Sequence, residues 1–393
     1  MGNIQKIINN RRNIVFILLP ISLIFIYIAI RLWQFGHRPE PWIFGDWLIN
    51  YGAGFIRRGL SGEVLIRIRD LLGFKIQLIY FVINIFLYLY IFRIICHKYW
   101  NSTDNIIFFL FIAPVSIYFY LYDSNIIGRK DVLYIFYLAA IYKFYNKRDF
   151  SLFIDSLFYW SILSSLLILI HESFYFYLFL LLSIVLIREN GEPRRFFFRA
   201  CAFLTLPTLT FLTVFYHQST PDVGPIIERI PNFAVAMSEG CIGEAVVSIW
   251  SQGAICYLRN DVAAAYGQTV FSVETSTMLR YIVMSGFQLT LVTGLSIWAL
   301  SPLNKYQCML LAGGLLAVLP LFAVALDWGR WLHVLAMTFL IFVPIRKFTF
   351  RVRAAHLIAA ALIASLLTIS HTRDEFFTFG GPIFVRNVIE KFS

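Results

Sequence analysis

The sequence predicts an all-α protein, a polytopic bundle of transmembrane helices. Three observations predict it. Charged residues make up 14% of the chain and hydrophobic residues 59%, whereas a soluble domain carries about 25% charge. Mean hydropathy is +0.73. The apolar runs are about 20 residues long, which is the length a helix needs to cross a bilayer and about twice what a barrel strand needs.

Eleven spans are predicted, near 14–33, 76–96, 105–122, 131–145, 152–170, 174–187, 197–216, 279–300, 306–326, 331–345 and 355–370. They use up most of the 393 residues, so one transmembrane domain over 1–393 is the economical reading. The first run follows the basic segment MGNIQKIINNRRN and reaches Leu32 with no small-residue cleavage site. It reads as a retained span rather than a signal peptide. Lys6 breaks the myristoylation pattern. Phe is abundant (40 residues) and small-residue packing seams are sparse.

The net charge of +11 is explained by basic cytoplasmic loops, without nucleic acid. With the N-terminus inside, RENGEPRRFFFR and IRKFTFRVR fall in the cytoplasm and the short turns HES and DWGR fall outside. The positive-inside rule therefore predicts N-in and C-out. In that orientation the unusual polar residues near span ends collect on the outer side: Asp46, Arg57, Arg58, Asp123, Arg129, Lys130, Asp131, His171, Glu172, Asp327, Arg330, His333, His371 and Arg373. Ionisable groups at membrane depth are costly and commonly functional, so one polar cavity open to the outside is expected.

Two outer loops are long. The first, 34–75, carries an amphipathic stretch in Gly59–Lys75. There Leu60, Val64, Ile68, Leu71 and Leu72 recur at helical spacing, with Glu63, Arg67 and Asp70 on the other face. That pattern predicts a helix lying in the interface. The second, 217–278, contains Cys241 and Cys256 with fourteen residues between them, a spacing that allows a disulfide in an oxidising compartment.

Each candidate residue has a chemical reading and a plainer one. Asp46, in FGDWLINY, stands where burial can tune a general base; it could equally cap a helix at the interface. Arg57 and Arg58, in GFIRRGL, form a fork for phosphate, or for lipid head groups. In YDSNIIGRKDV, Asp123 and Asp131 flank Arg129 and Lys130. This turn suits orienting an acceptor and holding a phosphate, or binding a divalent metal; its plainer reading is helix capping with surface ion pairing. His171 and Glu172 end a span. In DWGRWLH, Arg330 could meet a diphosphate and His333 could donate a hydrogen bond, while Asp327 and Arg330 could pair structurally. Trp42, Trp47 and Trp328 could stack on sugars or belong to the interfacial belt. HExxH, HxxEH and paired CxxC motifs are absent, as is a nucleotide-binding glycine loop. No metal ligand is assigned, and an energy-coupled pump is disfavoured.

This arrangement resembles the GT-C superfamily of membrane glycosyltransferases. The resemblance rests on Asp46 in GDW soon after the first span, the amphipathic helix beside it, the acidic turn with Asp123 and Asp131, and a long outer loop after the seventh span. In length and hydropathy the chain is also similar to polymerases of surface-polysaccharide repeat units, of the O-antigen type. The resemblance implies a polyprenyl-linked sugar donor, a glycan or lipid-linked acceptor and an active site on the periplasmic face of a bacterial inner membrane. Asp46, Asp123 and Asp131 would be the catalytic acids. Arg57, Arg58, Arg129, Lys130 and Arg330 would hold the donor phosphate. His171, Glu172, Asp327 and His333 would support them. One-step displacement would invert the anomeric centre. The competing class is a flippase or transporter for a lipid-linked or anionic substrate. Transporters gather ionisable groups near the midplane, whereas Arg93 and Asp155 lie towards cytoplasmic ends. A purely structural assembly subunit is a third class.

Overall fold

The computed structural model describes residues 19–37, 42–99, 115–147, 156–189, 193–220, 222–230, 253–259, 275–300, 303–324 and 327–342. Among these residues the regular elements are all helical. They are α1 (Leu19–His37), α2 (Ile43–Leu48), α3 (Gly59–Leu72), α4 (Ile76–Tyr99), α5 (Phe119–Tyr122), α6 (Asp131–Lys147), α7 (Leu157–Ile170), α8 (Phe174–Glu189), α9 (Pro193–Tyr216), α10 (Gly224–Glu228), α11 (Gly253–Cys256), α12 (Thr275–Leu300), α13 (Lys305–Leu316), α14 (Leu319–Val324) and α15 (Trp328–Phe342). Short 3-10 turns cover Tyr51–Ala53, Ser124–Ile126 and Tyr257–Arg259.

Three described stretches are long and apolar enough to cross a membrane: Ile76–Tyr99, Phe197–Tyr216 and Lys305–Ala323. Leu19–Phe35, Leu157–Ile170, Phe174–Ile187 and Trp328–Phe342 are apolar but shorter. The span expected at 355–370, most of the one at 105–122, and Asp155, His371 and Arg373 lie outside the described residues. Several boundaries differ from expectation by a few residues, and two differences bear on the fold. Helix α1 continues to His37. The run expected at 306–326 is divided between α13 and α14. Pro320 sits at the second position of α14; it has no N–H to give and its ring crowds the preceding turn, so the helix restarts there. Asn304 opens α13 with a reciprocal capping box to Gln307.

Helix α15 is the centre of the bundle. All of its residues from Trp328 to Phe342 are buried; its apolar residues require this, and its Arg330 and His333 have buried partners. It packs against α6, α8 and α12, while α1 lies on α4, α4 on α6, α7 on α9 and α8 on α13. The packing is made largely of rings. Tyr134 stacks on Phe174 at 5.2 Å, and Tyr175 stacks on Phe211 at 4.4 Å. At the far end of α15, Lys98 Nζ donates to the Leu340 and Ile341 carbonyls at 2.7 Å each. Tyr99 also donates to Leu340. These donors satisfy terminal carbonyls that a helix leaves open.

Helix α3 is amphipathic as expected, but it buries a different stripe. Gly59, Ser61, Gly62, Leu65 and Ile66 face the protein. Val64, Leu71 and Leu72 are exposed. The small residues decide this. A Cβ on Gly62 would stand 2.1 Å from the Ile49 carbonyl oxygen, and one on Gly59 would stand 2.3 Å from the Tyr51 ring. Only glycine lets α3 approach α2 so closely, which turns the larger apolar residues outward. Gly73 closes the helix in the left-handed conformation, its N–H on the Arg69 carbonyl at 2.7 Å.

Candidate functional site

The ends of several helices meet at the end of the bundle opposite Lys98. They bring together the turn before α3, the start of α6, the turn between α7 and α8, and the start of α15. Nine of the expected residues form one largely buried charge cluster there: Asp46, Arg57, Arg58, Lys130, Asp131, His171, Glu172, Asp327 and Arg330.

Its first half is built on Arg58. The guanidinium donates from Nε to Glu172 Oε1 and Oε2 at 3.1 and 2.9 Å, and from Nη2 to Oε1 at 2.6 Å. Its Nη1 reaches Asp46 Oδ1 at 3.4 Å, and Lys130 Nζ stands 3.6 Å from the same oxygen. Lys130 is fully buried and donates to the carbonyls of Arg58 and Ile170 at 3.2 and 3.1 Å. It thereby joins the α3 cap to the end of α7. Arg58 has φ 65° and ψ 6°, and is the one non-glycine with positive φ among the described residues. That conformation costs about 1–3 kcal/mol and is found at sites that the surroundings over-determine.

The second half is built on Arg330. It holds Asp131 through Nε–Oδ2 at 2.7 Å and Nη2–Oδ1 at 3.2 Å, and Asp327 through Nη1 at 2.6 Å. Its Nη2 lies 3.3 Å from His171 Nε2. A guanidinium only donates, so His171 Nε2 accepts. The ring proton then sits on Nδ1, which donates to Ser173 Oγ at 2.8 Å. The two halves thus meet at the His171–Glu172 turn.

The electrostatics follow from burial set against neighbours. Burial pushes the Asp46 carboxyl up, but Lys130 and then Arg58 more than offset it and hold it at about 2. Burial opposes the Glu172 charge too, and Arg58 keeps that carboxyl well below its ordinary range. Burial lowers Lys130 to about 8 against the pull of Asp46. Burial, reinforced by Arg58, lowers His171 to about 3, so its ring is neutral.

A cavity of about 140 Å³ opens beside the cluster. Its polar lining is Arg57, Arg58, His171, Glu172, Ser173, Gln218 and Tyr257; its apolar lining includes Phe176, Phe211, Phe215, Leu321 and Trp331. Arg57 is buried, lies 4.0 Å from Glu172 Oε1 and stacks over the Tyr257 ring at 6.0 Å. The Trp331 indole N–H is buried without a hydrogen-bond partner among the described residues. Asp46 is not among the lining residues; it reaches the cavity wall through Arg58.

Other expected residues stand apart. Asp123 caps a 3-10 turn, accepting from the Asn125 N–H at 3.0 Å. Arg129 turns to the Asn125 carbonyl at 2.9 Å. His333 is committed at both nitrogens, Nδ1 donating to the Val115 carbonyl at 2.8 Å and Nε2 accepting from Tyr120 at 3.1 Å. Trp47 is buried and donates to the Gly128 carbonyl at 2.6 Å. Trp42 meets Tyr257 edge-on at 5.6 Å, and Trp328 meets Phe322 at 5.7 Å. The acids Asp123 and Asp131 therefore serve separate partners. Among the described residues no three His, Cys, Asp or Glu side chains are grouped for a metal.

Tyr257 and Gln218 are cavity residues that sequence reasoning did not single out. They come from the second long loop, which folds onto the first. Arg57 N–H donates to the His217 carbonyl at 3.2 Å, Asn50 Nδ2 to the Ile226 carbonyl at 2.9 Å, and Arg229 pairs with Glu63 at 2.7 Å. The signal available was the cysteine beside Tyr257. Cys256 is disulfide-bonded, and Cys241, the partner expected for it, lies outside the described residues. Comparison with protein-family models, with curated proteins and with solved structures gives no match for this chain.

Proposed function

We propose that the chain is a GT-C-like membrane glycosyltransferase with about eleven spans, N-in and C-out. It takes a sugar or oligosaccharide from a polyprenyl phosphate or diphosphate and passes it to a glycan or lipid-linked acceptor on the periplasmic face. Its setting would be surface-polysaccharide synthesis, including repeat-unit polymerisation. One observation carries the reading: a single cavity is lined by two adjacent arginines, Arg57 buried and Arg58 half-buried, together with Phe176, Phe211, Phe215 and Leu321. That is the amphiphilic shape of a phosphate on a hydrocarbon chain. Enclosed small-molecule pockets are usually ~300–1,000 Å³, so a cavity of about 140 Å³ suits the phosphate and its first carbons, with the sugar beyond it.

In this reading Arg57 and Arg58 bind the phosphate and stabilise it as a leaving group. Asp46 is the base that takes the acceptor proton, a contribution of about 10²–10⁴-fold. A carboxyl at about 2 is a weak base. Phosphate beside Arg58 supplies the correction, because its negative charge offsets part of the cationic field that holds Asp46 down.

The test is reconstituted protein with a panel of polyprenyl-linked sugars, comparing wild type with Asp46→Asn. Product made by wild type and lost in the folded variant supports the transferase and its base together. Full activity in the variant removes Asp46 from the mechanism. Donor lipid moved to the opposite leaflet without product would replace the transferase by a flippase.

A further inference from the structure

We propose that Glu172 is a placeholder for the ligand phosphate: its carboxylate occupies the Arg58 guanidinium, and an arriving phosphate takes that guanidinium and releases Glu172. The inference rests on the reading of the cavity as a lipid-phosphate site.

The geometry supplies the first reason. Glu172 uses both Nε and Nη2 of Arg58, at 2.9 and 2.6 Å. That edge is the one on which a phosphate binds in the same two-pronged way. Carboxylate and phosphate therefore compete for one fork. Arg57 Nη1, at 4.0 Å from Glu172, stands beyond hydrogen-bond range of it, and both arginines line the cavity.

The second reason is that Glu172 can move. It belongs to the turn between α7 and α8, and its side chain is 22% exposed; the Asp131 side chain, held by Arg330, is 8% exposed. A rotamer change at Glu172 disturbs no helix.

The third reason is charge. Two arginines and one carboxylate line the cavity, so a phosphate spanning Arg57 and Arg58 meets two cations there. Asp131 offers no such exchange, because Arg330 and Asp131 do not line the cavity.

Binding of a labelled short-chain polyprenyl phosphate to the full chain in nanodiscs tests this without any transfer reaction. Inorganic phosphate and phosphatidylglycerol are run as separate arms. Glu172→Gln keeps the shape and removes the competing charge. Polyprenyl phosphate should then bind about tenfold tighter, the scale of one charge-assisted hydrogen bond, although the variant unfolds at a lower temperature. Loss of a negative charge beside an anion site tightens binding through the field alone, so the variant that keeps the charge decides. Glu172→Asp, which keeps the charge but draws it back from Arg58, should tighten binding less and serves should the Gln variant not fold. Wild type that binds while Glu172→Asp binds no tighter overturns the placeholder and leaves the cavity reading standing. Wild type that binds none of the three phosphates overturns both. Equal binding of phosphatidylglycerol or inorganic phosphate, with the same response to the variants, supports the placeholder and moves the ligand from donor lipid to head group or free anion.

Discussion

Arg58 and Glu172 stand 114 residues apart in the chain and share three hydrogen bonds, while the Arg58 backbone is held in the left-handed region at φ 65°. Side chain and backbone are thus constrained from different directions. Glu172 clasps the guanidinium, and Lys130 holds the carbonyl at 3.2 Å. A strained backbone at the residue that bridges two carboxylates fixes where that cation stands.

The backbone and side-chain parts of that arrangement separate by substitution. Arg58→Gly and Arg58→Ala both remove the cation, and both should abolish lipid-phosphate binding. They differ in how they tolerate positive φ. Glycine adopts it freely and alanine does not, so Arg58→Gly should be the more stable by about 1 kcal/mol. Thermal unfolding in detergent measures the difference. Equal stabilities would mean that the left-handed backbone carries no strain.

The Asp131–Arg330 pair should act mainly on stability. Removing one partner of a buried pair strands the other, typically at about 3–5 kcal/mol. Asp131→Asn and Arg330→Met are each expected to lower the unfolding temperature strongly. The double variant should be less destabilised than the sum of the two, because neither charge is then stranded. Asp327, with its side chain 26% exposed, can turn to solvent and should add little. Strict additivity would show that the pair is not coupled.

Acid should weaken the fold through His171 before it reaches the carboxylates. The folded-state value of His171 lies at about 3, below its ordinary 6.5. As pH falls below 6.5 the unfolded chain takes up the proton first, so stability present above 6.5 is lost progressively towards 3. The slope is about 1.4 kcal/mol per pH unit. Asp46 has the same sign, with stability present above 3.8 and lost as pH falls through about 2. His171→Gln should flatten the decline between pH 6 and 4.5 in urea or thermal titrations. An unchanged slope would show that His171 is not held neutral.

The polar cluster was legible because charges at membrane depth have few innocent reasons to be there. Asp46, Arg57, Arg58, Lys130, Asp131, His171, Glu172, Asp327 and Arg330 were all visible in sequence, and they converge. Their pairing was not visible. Nothing in the spacing says that Arg330 takes Asp131 while Arg58 takes Glu172, because helix rotation decides which acid faces which cation. Asp123 and His333 have the same chemistry as the members of the cluster and yet serve a 3-10 cap and a Tyr120–Val115 clasp. The outward turn of Leu71 and Leu72 was hidden for a related reason. A period of 3.6 identifies two faces, and small residues choose which one packs. Tyr257 escaped notice because a loop residue has no periodicity to mark it. The division of α13 from α14 was readable in Pro320, but the hydropathy of the run masks it.

Two glycines hold the loop that carries Asp46 against the bundle, and they should respond differently to repair. Gly128 has φ +80°, and a Cβ there would meet the Tyr80 hydroxyl at 2.0 Å. That hydroxyl also donates to the Gly128 carbonyl at 3.1 Å. Gly128→Ala should destabilise by about 1–3 kcal/mol through crowding. Tyr80→Phe should recover part of the loss, because the next atoms, Leu32 Cδ2 and the Tyr80 ring, lie at 3.0 and 3.2 Å; the part due to positive φ remains. At Gly62 the obstacles are backbone oxygens, Ile49 at 2.1 Å and Leu48 at 2.6 Å. No side-chain truncation removes them, so Gly62→Ala must push α3 off α2 and shift Asp46 with it. Unfolding midpoints of the single and double variants, read with the binding of polyprenyl phosphate, distinguish the two cases. Recovery of Gly128→Ala by Tyr80→Phe, beside loss of both stability and binding in Gly62→Ala, is the expected result. A Gly62→Ala protein as stable as wild type would show that the approach of α3 to α2 is looser than these distances require.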